Sequence, residues 1–490
     1  MGTIETATDV TTLRNYIGGR WVEAQPAGIL DDHDPASGEL IARVPLSSAA
    51  DVDAAVQAAR AALPSWRATP VLVRARAVLA LREALIAHRD EIAQLLARDM
   101  GKTLADASGE VGRGIESVEA AAAAPHVMKG ENLEGVARGV DVELVRQPVG
   151  VIAAITPFNF PAMIPLWFLP YAIATGNTFI LKPSEQDPLT SQRIMQLIDA
   201  IEEIPAGVVN LVHGGREAVS AILDHPGING VSFVGSAATA RFVAERAAAT
   251  GKRVQALGGA KNSMLVMPDA DREVMVSGVM GSSFGAAGQR CLAGSVAVLV
   301  GTREEQDASL QAIVDGAKRL RVGPGLDAET DVCPVVTPAS RERLESEIAA
   351  AVEAGADLVL DGRIDPGPGG TFIGPTILDN LPDESHWLRE ELFGPVLCVH
   401  REPDLESAIE WSNGSRYGNS AVMFTTSGGN ARAFRYGIQA GMLGVNVGVA
   451  APVAWFPFAG FKDSFDGDLH ANGRDAFEFY TRKKVVTSRW

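Results

Sequence analysis

Cysteine is scarce in this chain. Its three residues, Cys291, Cys333 and Cys398, are too few and too scattered for a disulfide framework or a cysteine-ligated zinc. A reducing cytoplasm is the natural setting for such usage, and the eight histidines form no ligand-like cluster, so no metal is expected. No uninterrupted apolar run approaches the ~20 residues that cross a bilayer. The first residues lack both the apolar core of a secretion signal and the arginine-rich character of a transit peptide. Gly2 and Thr6 fit an acylation pattern, but Glu5 and the missing basic cluster favour coincidence. Basic charge is in deficit, 43 Lys and Arg against 60 Asp and Glu, for a net charge of -17. An overall field of that sign excludes nucleic acid or an anionic membrane as a partner, while leaving room for local basic pockets. The glycine fingerprint GxGxxG is absent. MGKT at Met100 to Thr103 fails as a phosphate loop, because the first glycine of that motif would fall on Leu96, inside a helical pattern.

What remains is an ordinary globular composition, 47% hydrophobic and 21% charged, long enough for two or three lobes. Short strands and turns are expected around Tyr16 to Trp21 and Asp34 to Glu39. Helices follow at Asp51 to Leu63, Val71 to Arg98 and Gly109 to Ala124, with Pro64 and Pro70 bracketing the first junction. Apolar strands at Val149 to Thr156, Asn177 to Lys182, Val208 to Val212 and Val231 to Val234 then alternate with helical stretches, which predicts an open α/β lobe built on a parallel sheet. A second alternation begins near Ser263 and forms another α/β lobe. Gly139 to Gln147 and the tail Glu478 to Arg489 read as extended segments able to pair, within one subunit or between two.

Within the second lobe, SSFGAAGQRCLAGS from Ser282 to Ser295 surrounds Cys291 with small residues, so a substrate can approach the thiol. Arg290 beside it can favour the thiolate if the charges meet. A buried structural cysteine is the competing interpretation. In the first lobe, Gly235 and Ser236 join a strand to a helix whose free N-H groups can receive an anion, or whose serine is simply a cap. Lys182, Ser184 and Glu185 follow another strand at the carboxyl edge, where such sheets bind ligands. Asn159, set between prolines and the aromatics Phe158 and Phe160, can aim its amide at developing negative charge or serve only to form a turn.

Taken together, PFNFP at Pro157 to Pro161, KPSEQDP at Lys182 to Pro188, FVGS at Phe233 to Ser236, LGGAKN at Leu257 to Asn262, GQRC at Gly288 to Cys291 and EELFGP at Glu390 to Pro395 resemble the aldehyde dehydrogenase superfamily over nearly the whole chain. The resemblance implies a nicotinamide enzyme in which Cys291 attacks an aldehyde while Asn159 and the Cys291 N-H hold the oxyanion. It implies Lys182 and Glu185 at the adenosine ribose of NAD, Ser236 at a phosphate, Glu391 with Phe393 at the nicotinamide ribose, and Phe158, Ser184, Gly235 and Leu257 as further cofactor-binding residues. It also implies a division into an NAD-binding domain at 1–127 and 147–255, a catalytic domain at 256–460, and a small oligomerisation arm at 128–146 and 478–490 serving a homo-tetramer or dimer.

One departure narrows the reading. Hydrolytic members carry a glutamate two residues before the first glycine of the LGG stretch, and here that position is Ala256. Without this base, water should release the acyl group slowly. TPFNFPAMIPLWFLPYAIATGNTFILKPSEQDPL, FGAAGQRC and the terminal GDLH with FYTRKKVVTSRW are similar to a subgroup lacking that glutamate, the CoA-acylating methylmalonate- and malonate-semialdehyde dehydrogenases. The subgroup implies coenzyme A as co-substrate, and Arg113 with Arg290 as a clamp for the substrate carboxylate. The alternative for Arg113 is an exposed helix arginine paired with Glu116 or Glu110. Leu292, Gly294 and Cys333 depart from the subgroup, where methionine, a larger residue and glycine are expected. Two rivals stand beside this reading: a hydrolytic aldehyde dehydrogenase with another base, and a non-catalytic relative that only binds.

Overall fold

The structure is a computed structural model and describes residues 10–490. The acylation pattern at Gly2 to Thr6 lies outside the described residues. Two sheets organise the chain. In the first, five parallel strands lie in the order Val209–Leu211, Thr178–Lys182, Val151–Ile155, Gly230–Val234, Arg253–Leu257. VIAAI and TFILK are buried at every position, as central parallel strands covered on both faces require. The chain departs in opposite directions on either side of Val151–Ile155, so a crevice opens between its carboxyl end and that of Gly230–Val234. Antiparallel strands close the two edges: Asn15–Ile17 on one side and Phe465–Gly467 on the other.

The second sheet runs Asp357–Leu360, Thr376–Asp379, Val396–Glu402, Gly294–Val300, Asn262–Val266, Ser420–Phe424, Met442–Val445, with only its first strand antiparallel. A third sheet pairs Thr481–Arg489 with Val140–Pro148 and the latter with Glu131–Ala137, so the two extended segments meet within one chain. No helix among the described residues is long and apolar enough to cross a membrane.

Several expected boundaries shift. The first helix continues through Pro64 to Ala68, because proline removes one internal hydrogen bond without preventing the last turn from closing onto Thr69. Val71 to Arg98 divides into Val71–Ala87 and Arg89–Asp99 at His88, which leaves helical geometry. The third helix starts earlier, at Leu104, where the Thr103 hydroxyl caps the Asp106 N-H. Glu478 belongs to a short helix, Gly473–Phe479, before the last strand. The strands and turn expected around Asp34 to Glu39 take the form of an antiparallel pair, Pro26–His33 with Leu40–Ser47, with the turn between them. The lobe boundary expected between 255 and 256 falls inside the strand Arg253–Leu257, and Phe465–Gly467 returns to the same sheet.

Tyr480 fastens the third sheet to the first. Its ring is fully buried, its hydroxyl lies 2.8 Å from Ser232 Oγ, and its carbonyl accepts from Asn177 Nδ2 at 2.9 Å. Arg253 adds bonds to the carbonyls of Phe479 and Thr481 at 2.6 and 2.7 Å. Removing the hydroxyl leaves Ser232 and Gln255 short of a buried partner, so Tyr480→Phe should lose about 1–3 kcal/mol, read as a lower urea midpoint. An unchanged midpoint would remove Tyr480 as the fastening point.

Candidate active site

The loop before Cys291 is held in an unusual backbone state. Ala286, Ala287 and Gly288 have φ of 49°, 52° and 68°, a left-handed run that two alanines adopt only under constraint. At Gly288 a Cβ would stand 2.1 Å from the Gly394 carbonyl oxygen, so the GQRC and EELFGP segments meet where only glycine fits. Beyond the cysteine, Ser283 Oγ donates to the Gly294 carbonyl at 2.7 Å and the Gly294 N-H donates to Ser282 Oγ at 2.8 Å. The Cys291 carbonyl accepts from Asn262 Nδ2 at 2.9 Å and from Asn419 Nδ2 at 2.8 Å.

Cys291 opens on a cavity of about 330 Å³ walled by Phe160, Trp167 and Phe458 and by both predicted arginines. Neither arginine is free of a carboxylate. Arg290 Nη2 donates to Asp106 at 2.6 Å, and Arg113 Nη1 donates to Glu116 at 2.9 Å, the pairing given above as its alternative role. Both statements therefore hold of Arg113: it is a half-exposed partner of Glu116, and it faces the cavity of the thiol. Leu292 lines the same cavity. At Gly294 a Cβ would come 2.3 Å from Met264 Sδ, so a larger residue there requires the Met264 side chain to move. Cys333 and Cys398 are fully buried and do not line the cavity.

Asn159 reaches the nucleophile loop from the other lobe. Its Nδ2 donates to the Gln289 carbonyl at 3.1 Å, which leaves one amide hydrogen uncommitted. Its own carbonyl accepts from Lys102 Nζ at 2.6 Å, and Lys102 is fully buried against Glu110 at 2.5 Å with its ammonium 3.6 Å from the Phe160 ring centroid. Glu110 also accepts from the N-H groups of Ala162 and Met163 at 2.8 and 3.1 Å. Lys102, Asn262 and Asn419 have no role in the sequence reading, and Glu110, offered there as a partner for Arg113, pairs with Lys102 instead. Lys102 lies in the MGKT segment, whose only evident reading was phosphate binding.

Burial pushes the Cys291 thiol up to about 12, with the Glu391 carboxylate adding to the rise and Lys102 working against it. Glu391 is itself pushed up to about 7 by burial, opposed by the Ala260 N-H, which donates to it at 3.1 Å, and by Lys261. Arg290 is spent on Asp106 and does not lower the thiol as its adjacency allowed one to expect.

The dinucleotide candidates converge on the crevice of the first sheet. Ser236 is exposed and caps Ala237–Ala249, and Gly235 ends the strand before it. Lys182, buried at its own strand end, donates to Glu185 at 2.6 Å, and Ser184 is buried beside them. Phe158 and Phe393 meet edge to face with centroids 5.7 Å apart, and Leu257 ends the neighbouring strand. An anion-receiving helix end, a cation held by a carboxylate and an acid at the glycine turn before Ala260 suit the phosphates and ribose hydroxyls of a dinucleotide. Ala256 has no exposed surface, so no carboxylate stands at that place.

A cysteine loop held between two α/β lobes at a crevice of this kind defines a class, and the chain belongs to the aldehyde dehydrogenase family, whose model matches residues 21–486. It is 47% identical over 487 residues to malonate-semialdehyde dehydrogenase 1 of Geobacillus kaustophilus, with 99% of each chain covered. It is 45% identical to the malonate-semialdehyde dehydrogenase of Bacillus pumilus, covering 99% of this chain and 100% of that one. Among solved structures, it is similar to the methylmalonate-semialdehyde dehydrogenase of Oceanimonas doudoroffii, with a TM-score of 0.95, 43% identity, and 98% and 99% of the two chains covered. A Sinorhizobium meliloti protein described as a methylmalonate-semialdehyde dehydrogenase, complexed with NAD, gives a TM-score of 0.96 at 42% identity, with 99% of both chains covered.

A thiol raised to about 12 is protonated at neutral pH, and its thiolate fraction grows about tenfold per pH unit below that value. Alkylation of Cys291 by iodoacetamide, without cofactor, should therefore keep rising through pH 9.5. A plateau near pH 7 would show a thiolate already formed at rest.

Proposed function

We propose that the protein is an NAD-dependent, CoA-acylating semialdehyde dehydrogenase acting on malonate or methylmalonate semialdehyde. The observation that carries this is the shared wall: two guanidiniums, Arg113 and Arg290, face the cavity onto which the Cys291 thiol opens. An aldehyde bearing a carboxylate matches both ends of that wall, since the thiol bonds the carbonyl carbon while the guanidiniums receive the anion. Its carboxylate would compete with Glu116 and Asp106 for them.

Cys291, once deprotonated, attacks the aldehyde carbon. The free amide hydrogen of Asn159 and the Cys291 N-H receive the oxyanion. NAD, when bound, supplies the hydride acceptor. The product is a thioester on Cys291. Because Ala256 offers no general base, water is a poor second nucleophile, whereas the thiol of CoA attacks the acyl carbon readily as a thiolate. The new carbon–sulfur bond forms as the bond to Cys291 breaks, and Cys291 leaves as thiolate and regains a proton. A β-carboxylate on the acyl group leaves as carbon dioxide, with the electron pair remaining as an enolate that is then protonated. Propionyl-CoA or acetyl-CoA results. The three-stranded arm, with Leu133 and Val485 more than half exposed, would supply the contact for a homo-dimer or tetramer, and the reducing cytoplasm suits a free catalytic thiol.

Purified protein given either semialdehyde should form NADH and acyl-CoA, with turnover strongly dependent on CoA. Comparable steady turnover without CoA, yielding free acid, would instead support the hydrolytic rival. Cys291→Ala should abolish NADH formation, and a retained rate would remove it as nucleophile. Arg113→Leu should lower kcat/KM for the semialdehydes about 10- to 100-fold while changing propanal little, the range of a lost charged hydrogen bond. Equal losses on both substrates would refute the clamp.

A further inference from the structure

Next to the thiol cavity lies a second hollow of about 690 Å³ that the chemistry above does not use. The two meet at Ala454, which lines both. Their walls continue along the same helices. Ser117 faces the first and Ala120, one turn on, the second; Trp167 faces the first and Tyr171, one turn on, the second. The second hollow has a basic rim in a protein that carries net negative charge: Lys129 and Arg474, with the His126 ring beside them, against a single acid, Glu131. Lys129 is exposed, and its one polar partner among the described residues is the His126 ring, at 3.5 Å. Arg474 is 77% exposed and only 3.8 Å from Glu478, a loose pairing. The Trp455 ring, 58% exposed, stands over the same hollow.

We propose that this hollow binds the nucleotide end of coenzyme A, its phosphates on Lys129 and Arg474 and its adenine against Trp455, while the thiol end enters the Cys291 cavity past Ala454. The proposal rests on the CoA-acylating reading above. Phosphate groups seek exposed lysine and arginine, and an exposed indole offers an aromatic face on which a base can stack. The reach is right. Arg113 lies on the thiol cavity and Ala123 on the second hollow, and ten residues of helix rise about 15 Å. The pantetheine arm between thiol and diphosphate is an extended chain of two amide units, roughly 15 Å at a pitch of ~3.5 Å per three bonds. The hollow shares no lining residue with the set proposed for NAD, so both can be present during one turnover.

The test compares wild type with the double variant Lys129→Glu/Arg474→Glu, using propanal as aldehyde and either CoA or pantetheine as acyl acceptor. The variant should raise KM for CoA at least tenfold, leave KM for pantetheine within twofold, and leave the CoA-independent NADH burst unchanged, which also reports that it is folded. A KM for CoA within twofold of wild type overturns the hollow as the site, as does an equal rise for pantetheine. The same null result is expected if a second copy of the chain covers this face. If wild type itself turns over independently of CoA, the functional reading fails and takes this proposal with it, a result distinct from a variant that leaves CoA use intact.

Discussion

The buried ion pair between Lys102 and Glu110 is the contact through which the rest of the site is set. A lysine with no exposed surface is costly unless its charge is met, and here it is met on three sides, by Glu110, by the Asn159 carbonyl and by the face of Phe160. Glu110 spends its second oxygen on the backbone N-H groups of Ala162 and Met163, where Met163–Ala174 begins. One pair of charges therefore fixes the backbone of PFNFP, the start of the helix that follows it, and one wall of the thiol cavity. The amide of Asn159 can point at the nucleophile loop because its backbone is not free to turn.

From the opposite lobe the nucleophile loop is clamped just as tightly. Two asparagine amides hold the Cys291 carbonyl, and the left-handed turn at 286–288 seats against Gly394. The fixed geometry comes with a reluctant thiol, since burial and the Glu391 carboxylate both keep its proton on. Glu391, with its own proton held to about 7, lies between the two states in the neutral range, so its ionisation changes the potential at Cys291 without any movement of the loop.

Much of the fold was legible in the sequence because it rests on burial patterns. VIAAI, TFILK and GVSFV are mostly apolar and buried at every position, as central strands are, and their alternation with helices points to a parallel sense. The segments quoted for the site also meet: Phe158 on Phe393, Gly288 on Gly394, Asn159 on Gln289. What could not be read were pairings between distant side chains. Nothing local distinguishes Lys102 from any lysine before a helix, or Asn419 from a turn residue: Glu110 is eight positions from Lys102 but in another element, the Asn159 carbonyl is 57 away, and the Cys291 carbonyl is 128 from Asn419. Both arginines line the cavity of Cys291, but their standing carboxylate partners, Asp106 across the chain and Glu116 on the same helix, were not legible as the cavity's resting charge pattern.

The return of Phe465–Gly467 to the edge of the first sheet, followed by the anchoring of Tyr480 beneath it, has a bearing on how the chain is born. On a ribosome, the early half emerges with the strand Arg253–Leu257 still bare along one side and the socket around Ser232 empty. Neither vacancy closes until some two hundred further residues have been synthesised. The half made first thus waits, with an unprotected sheet margin, for the half made last, so completion must follow release of the finished polypeptide, and chaperones have a defined surface to guard in the interval.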